Sequence, residues 1–228
     1  MMPILVEAAS AIQTFEDKDL GERIGVIESL LQGADSAKLL ATFPVFGIDN
    51  RLLEAALVLK ATAGQVNVLI HALGILLAAP AILRDGEKVL SLSLGAGNTG
   101  KAFDLETTQR VAEFKFIHWK GGSEAIRQNS LFKDFYLLAE YETRKAKELF
   151  VIGKDLPLKF LQGRRSLASV MSRNNKLWAD FQERYGQRFS VVSDYYLFRK
   201  EEVHILDLLP FLPSLGKVPT LDQEPESL

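Results

Sequence analysis

Apolar positions recur at helical spacing through the first quarter of the chain. Over residues 20–31, Ile24, Ile27 and Leu31 share one face and Gly33 supplies a stop. Asp35 and Asp49 stand where N-caps belong, ahead of helices expected over 37–43 and 52–60. The next segment, 61–83, is uncharged and long enough to cross a bilayer, which takes ~20 residues. Gln65, Asn67, His71 and Pro80 interrupt its apolarity, so it reads as the central helix of a soluble core. Val66, Leu69, Ile70, Leu73, Leu76 and Leu77 form its expected core stripe. Ala72, Gly74, Ala78 and Ala79 fall largely off that stripe, and His71 reads as a satisfied core histidine.

The period changes after the turn signal Arg84-Asp85-Gly86. Residues 89–94 alternate as a strand, and 101–106 and 111–119 read as two more. Thr107-Thr108-Gln109-Arg110 joins the last two as a hairpin, so the three strands form a meander. Ser123 can cap a long helix over 124–147, burying Ile126, Phe135, Leu138 and Tyr141 or their neighbours, and a short strand follows at 149–152. Beyond it come a helix opening at Ser166, a strand near 189–192 and a last helix near 203–209. The tail 217–228, with two prolines and three acids, reads as disordered. The elements define an α/β (α+β mixed) chain: a helical N-terminal extension at 1–60, a core at 61–216 and the tail.

Composition narrows the chemistry. Hydrophobic residues at 47% and charged residues at 25% are ordinary for a folded domain. The absence of cysteine removes disulfides, thiolate metal sites and a cysteine nucleophile, and fits a reducing, cytoplasmic location; no basic stretch precedes the apolar N-terminus as in a secretory signal. A net charge of −2 advertises neither nucleic acid nor membrane globally. Locally, residues 156–179 contain no acid and carry five cations, Lys159, Arg164, Arg165, Arg173 and Lys176.

Two candidate motifs share one region. Gly95-Ala96-Gly97-Asn98-Thr99-Gly100-Lys101 follows a strand and has the glycine spacing of a phosphate-binding loop. Ala102 occupies the place of the magnesium-binding Ser or Thr, and 103–105 looks extended where a helix is needed. A nucleotide-binding domain built on this loop is therefore the alternative reading. The other motif is Asp104 with Glu113-Phe114-Lys115. If Thr108 and Gln109 centre the turn, residue 106 faces 111 and 104 faces 113, with Cβ atoms about 4.5 to 5.5 Å apart. Two such carboxylates repel, and a hard divalent cation is a natural reason to pair them. Alternation puts Lys115 on the same face as Glu113, beside an attacking water, and turns Phe114 and Phe116 into the core. Glu106 is a rival to Asp104, at the hairpin end; His118 falls on the opposite face.

These residues, with eight residues between the two acids, resemble the signature of the PD-(D/E)XK nuclease superfamily, with Phe103 in place of the nominal proline. The resemblance covers under half the chain. It implies a restriction-endonuclease-like αβββαβ core, mapping onto about 65–152, with a central mixed sheet flanked by helices. It also implies magnesium or manganese bound by Asp104, Glu113 and the Phe114 carbonyl, with Lys115 assisting the water. Gln128 matches an accessory glutamine after the third strand, although Phe132 replaces the tyrosine that usually follows; Glu54 is a weaker substitute for a glutamate of the first helix. The expected activity is phosphodiester hydrolysis in nucleic acid, DNA ahead of RNA, with Lys159, Arg164, Arg165 and Arg173 meeting phosphates. Trp119, Tyr136 and Trp178 read as core or rim aromatics more than as base-stacking groups. A homodimer fits this scheme, since two sites cut two strands. A catalytically silent relative that binds nucleic acid or protein is the other alternative.

Overall fold

The computed structural model describes residues 2–16, 19–95, 100–119, 121 and 124–216. Residues 96–99 of the glycine loop, Ser123 and the tail from 217 lie outside them. The chain forms two compact units, Met1–Asn67 and Val68–Leu228.

The first unit holds α1 (Met2–Glu16), α2 (Leu20–Leu31), α3 (Ser36–Phe46) and the start of α4 (Asn50–Ile82). Asp19, Asp35 and Asp49 cap α2, α3 and α4, accepting the N–H groups of Glu22 (2.8 Å), Lys38 (2.9 Å) and Leu52 (2.8 Å). Gly47, at φ 68°, supplies the left-handed turn that ends α3. α2 and α3 bury no residue, and Arg23 ties α2 to α3 through the Phe46 carbonyl (3.2 Å).

The two helices expected over 52–60 and 61–83 are one helix of 33 residues, α4. Nothing between Lys60 and Gln65 breaks a helix, and the glycine there costs only about 1 kcal/mol. α4 is long and apolar enough to cross a membrane, by length and composition only.

The second unit is built on a five-stranded mixed sheet in the order β1-β2-β3-β4-β5. β1 (Val89–Leu92), β2 (Leu105–Thr107) and β3 (Arg110–Lys115) form the expected antiparallel meander, while β4 (Ala146–Val151) and β5 (Val203–Asp207) extend it in parallel. Glu106 faces Val111 and Leu105 faces Ala112, the register inferred from the turn. β2 and β3 are shorter than expected, so Asp104 lies just before β2. One face of the sheet packs on the C-terminal part of α4 through Ile75, Ala78 and Ile82 against Leu105, Ala112, Phe114 and Phe150. The other packs on α5 (Ala125–Glu140) and on α6 (Asp155–Leu161), α7 (Leu167–Met171), α8 (Asn175–Tyr185) and α9 (Val192–Arg199), through Val111, Leu149 and Val151. Covered on both faces, β4 reads as a continuous apolar run, Leu149 to Val151.

Four expectations change. The buried side of α4 is the small-residue side: Gly74, Ile75, Ala78, Ala79 and Ile82 face inward, and Leu69, Leu73, Leu76 and Leu77 are exposed. Close approach to the sheet decides this, because a Cβ at Gly74 would overlap the Phe116 ring. α5 ends at Glu140 and not near 147: the Tyr141 N–H closes on the Leu138 carbonyl (3.3 Å) and Thr143 turns the chain into β4. Residues 203–207 form β5 instead of a helix, since they pair with the buried β4, and a short apolar run has no period to choose between the two. The strand expected near 189–192 reduces to a single bridge, Ser166 to Val191, before α9, whose Asp194 takes the Ser190 and Val191 N–H groups.

The hairpin register is fixed at its closed end by buried charge. Arg110 donates twice to Glu87 (2.7 and 2.8 Å) and once to Glu148 (2.7 Å), and Thr107 accepts the Gln109 and Arg110 N–H groups. The Arg110 guanidinium holds the Glu87 carboxyl down to about 2. Replacing Arg110 with Met strands two buried acids and should cost about 3–5 kcal/mol in urea unfolding at pH 7. The stabilisation from Glu87 is present above its ordinary 4.5 and lost as pH falls toward about 2, so the native protein should lose its advantage over Arg110→Met through that window. A difference independent of pH would contradict this account.

Candidate active site

Asp104, Glu113 and Lys115 converge beside the C-terminal end of β3. Asp104 comes from the segment entering β2, whose backbone is anchored by the Ser93 N–H on the Asp104 carbonyl (2.8 Å). One carboxylate oxygen accepts the Phe114 N–H (2.9 Å), which fixes the acid on β3. The other lies 3.2 Å from Nε2 of His71 on α4. Glu113 is the next residue along β3 from Ala112, which faces Leu105, and Asp104 acts on it through charge and hydrogen bonding. Phe114 turns to the opposite face, where it is buried and stacks on Phe150 (4.8 Å).

Lys115 shares the Glu113 face, but its ammonium pairs with Asp134 of α5. Among the described residues, Asp134 is its one carboxylate partner within 4.0 Å. Asp134 is 6% exposed. The site therefore gathers three acids, one lysine and one histidine.

The electrostatics follow from burial and crowding. Burial, then the charges of Asp134 and Asp104, push the Glu113 carboxyl up to about 9, against the opposing pull of Lys115. Burial opposes the charge on Lys115, yet Asp134, Glu113 and Asp104 outweigh it and its pKa rises. Asp134 is raised by burial, with Lys115 opposing. The hydrogen bond to Asp104 outweighs burial and raises His71. The Glu113 carboxyl thus keeps its proton at neutral pH.

The other sequence candidates divide. Gln128, in the first turn of α5, accepts from Arg165 (2.5 Å), which docks the basic segment on that helix. Lys159, Arg164 and Arg173 are exposed and have no ion pair among the described residues. Glu54 is exposed in the first unit. Glu106, the rival to Asp104, is taken by Lys145 (2.6 Å). Of the glycine loop, the described residues 100–104 are not helical and Lys101 rests on the Leu92 carbonyl, so the helix a phosphate loop needs does not follow it. Trp119 packs near Phe160, Tyr136 is buried on Asp180, and Trp178 stacks on Phe181.

Sequence reasoning missed Asp134 and underrated His71. Asp134 falls three residues after Leu131 on the buried stripe of α5, a signal visible as an acid among core positions. His71 is the one ionisable side chain of 61–83, and it is satisfied by the site itself. No family model matches this sequence, and no curated protein or solved structure matches it significantly.

Glu113 carries a stability cost with a definite sign. In the unfolded chain it ionises near 4.5, whereas the folded protein retains its proton until about 9, so each step of pH between these values favours unfolding. Glu113→Gln cannot ionise and should melt above the native protein, by a margin absent below pH 4.5 that widens toward pH 9. Equal melting temperatures at pH 8 would show that Glu113 ionises freely.

Proposed function

We propose that this protein is a magnesium- or manganese-dependent nuclease of the PD-(D/E)XK type, acting on DNA ahead of RNA. The observation that carries the reading is the half-buried Asp104–Glu113 pair, where burial and neighbouring acids raise the Glu113 pKa although Lys115 opposes it and His71 lies against Asp104. Magnesium accepts one or two carboxylates plus water and phosphate oxygens, so the donor set fits. The element order α4-β1-β2-β3-α5-β4 supports it, being the αβββαβ order of the restriction-endonuclease-like core.

In this reading Asp104 and Glu113 hold the cation and the Phe114 carbonyl adds a third oxygen. The bound ion supplies Lewis-acid charge at the scissile phosphate and acidifies water. The raised pKa of Lys115 keeps it protonated, which favours orienting the water and countering phosphate charge over accepting a proton. His71 holds Asp104 in place. Lys159, Arg164 and Arg173 form an exposed cationic surface for the phosphate backbone, and Arg165 anchors that segment to Gln128.

A second reading is a catalytically silent relative that binds nucleic acid through the same cations. Its support is that, among the described residues, no three or more His, Asp or Glu groups cluster with metal-holding geometry. A cleavage assay separates the two, using single- and double-stranded DNA and RNA with magnesium, manganese or EDTA. The nuclease reading expects metal-dependent cutting that falls by on the order of 10²–10⁴-fold in Glu113→Gln and Lys115→Met. Cutting undiminished in both variants, or nucleic-acid binding without any cutting, would count against it.

A further inference from the structure

Lys115 carries its charge two residues from Glu113 on the same face of β3, yet its ammonium is not within 4.0 Å of Glu113 or Asp104. A lysine so placed, with no other partner, would close on the two acids and neutralise them. That internal ion pair would occupy the position a divalent cation needs. Asp134 prevents it: buried on α5, it draws the Lys115 ammonium to itself. The helix is rigidly seated, since Leu131, Phe132, Phe135 and Leu138 around Asp134 are all buried in the core. The countercharge is therefore held by packing and does not follow the lysine.

We propose that Asp134 is a positioning residue that holds the Lys115 ammonium off the Asp104–Glu113 pair and so keeps that pair open to a divalent cation. The inference rests on the nuclease reading and adds to it the group that prevents the lysine from competing with the metal. It acts through Lys115, and this makes it separable from a merely structural role. An acid that only stabilised α5 would leave cation affinity untouched in a folded variant. An acid that itself held the cation would be needed whether or not Lys115 is present.

The test is manganese binding measured by calorimetry on the full chain, without nucleic acid, in the native protein, Asp134→Asn, Lys115→Met and the double variant, with folding checked by circular dichroism. Asp134→Asn should bind manganese at least about tenfold more weakly, as loss of a group supporting a metal site does. Lys115→Met with Asp134→Asn should bind as Lys115→Met does, within about threefold, because no ammonium remains to compete. This second comparison does not use the single Asp134→Asn variant, so it stands even if that variant fails to fold, provided Lys115→Met and the double variant keep the native circular dichroism. Native-like binding by folded Asp134→Asn, or a double variant much weaker than Lys115→Met, would overturn the proposal while leaving the metal site intact. Absence of manganese binding by the native protein would overturn the metal reading, and the role of Asp134 with it.

Discussion

Two carboxyl groups facing each other across a hairpin, largely withdrawn from water, are a liability that this fold maintains with some care. Asp104 and Glu113 would separate if the hairpin slipped by one residue, since a one-residue slip turns every side chain to the other face. The register that brings them together is set at the far end of the same strands, where Arg110 locks Glu87 and Glu148. At the near end the Phe114 N–H and His71 each take one oxygen of Asp104. Sheet, hairpin and central helix thus converge on one acid. The crowding they preserve is what raises the Glu113 pKa.

The same requirement explains the geometry of α4. His71 reaches Asp104 only because the helix lies close on the sheet, and that closeness depends on Gly74, Ala78 and Ala79 lining the contact. The larger side chains of the helix are left on its outer face as a consequence. On the opposite side of the sheet, α5 supplies Asp134, and its first turn anchors Arg165 through Gln128. The basic segment and Asp134 are thereby attached to the same helix.

Much of this was legible in the sequence where a local rule decided the outcome. The aspartate caps, the meander and the 106-to-111 pairing follow from cap chemistry, alternation and turn length. The convergence of Asp104 with Glu113 followed from that pairing alone. What was not legible depended on tertiary contact. Which face of α4 is buried was reversed, because bulk alone does not reveal that a ring must fit against Gly74. β5 was indistinguishable from a helix until its partner β4 was known. Asp134 was hidden for a related reason: an acid on an apolar stripe has meaning only once the lysine opposite it is seen.

The most direct test of the central claim is a crystal structure of the native protein soaked in manganese, with the ion located by its anomalous scattering. The account predicts a peak shared by the carboxylates of Asp104 and Glu113 beside the Phe114 carbonyl, with Lys115 still turned to Asp134. A manganese peak elsewhere, or Lys115 lying between the two acids in place of an ion, would contradict it.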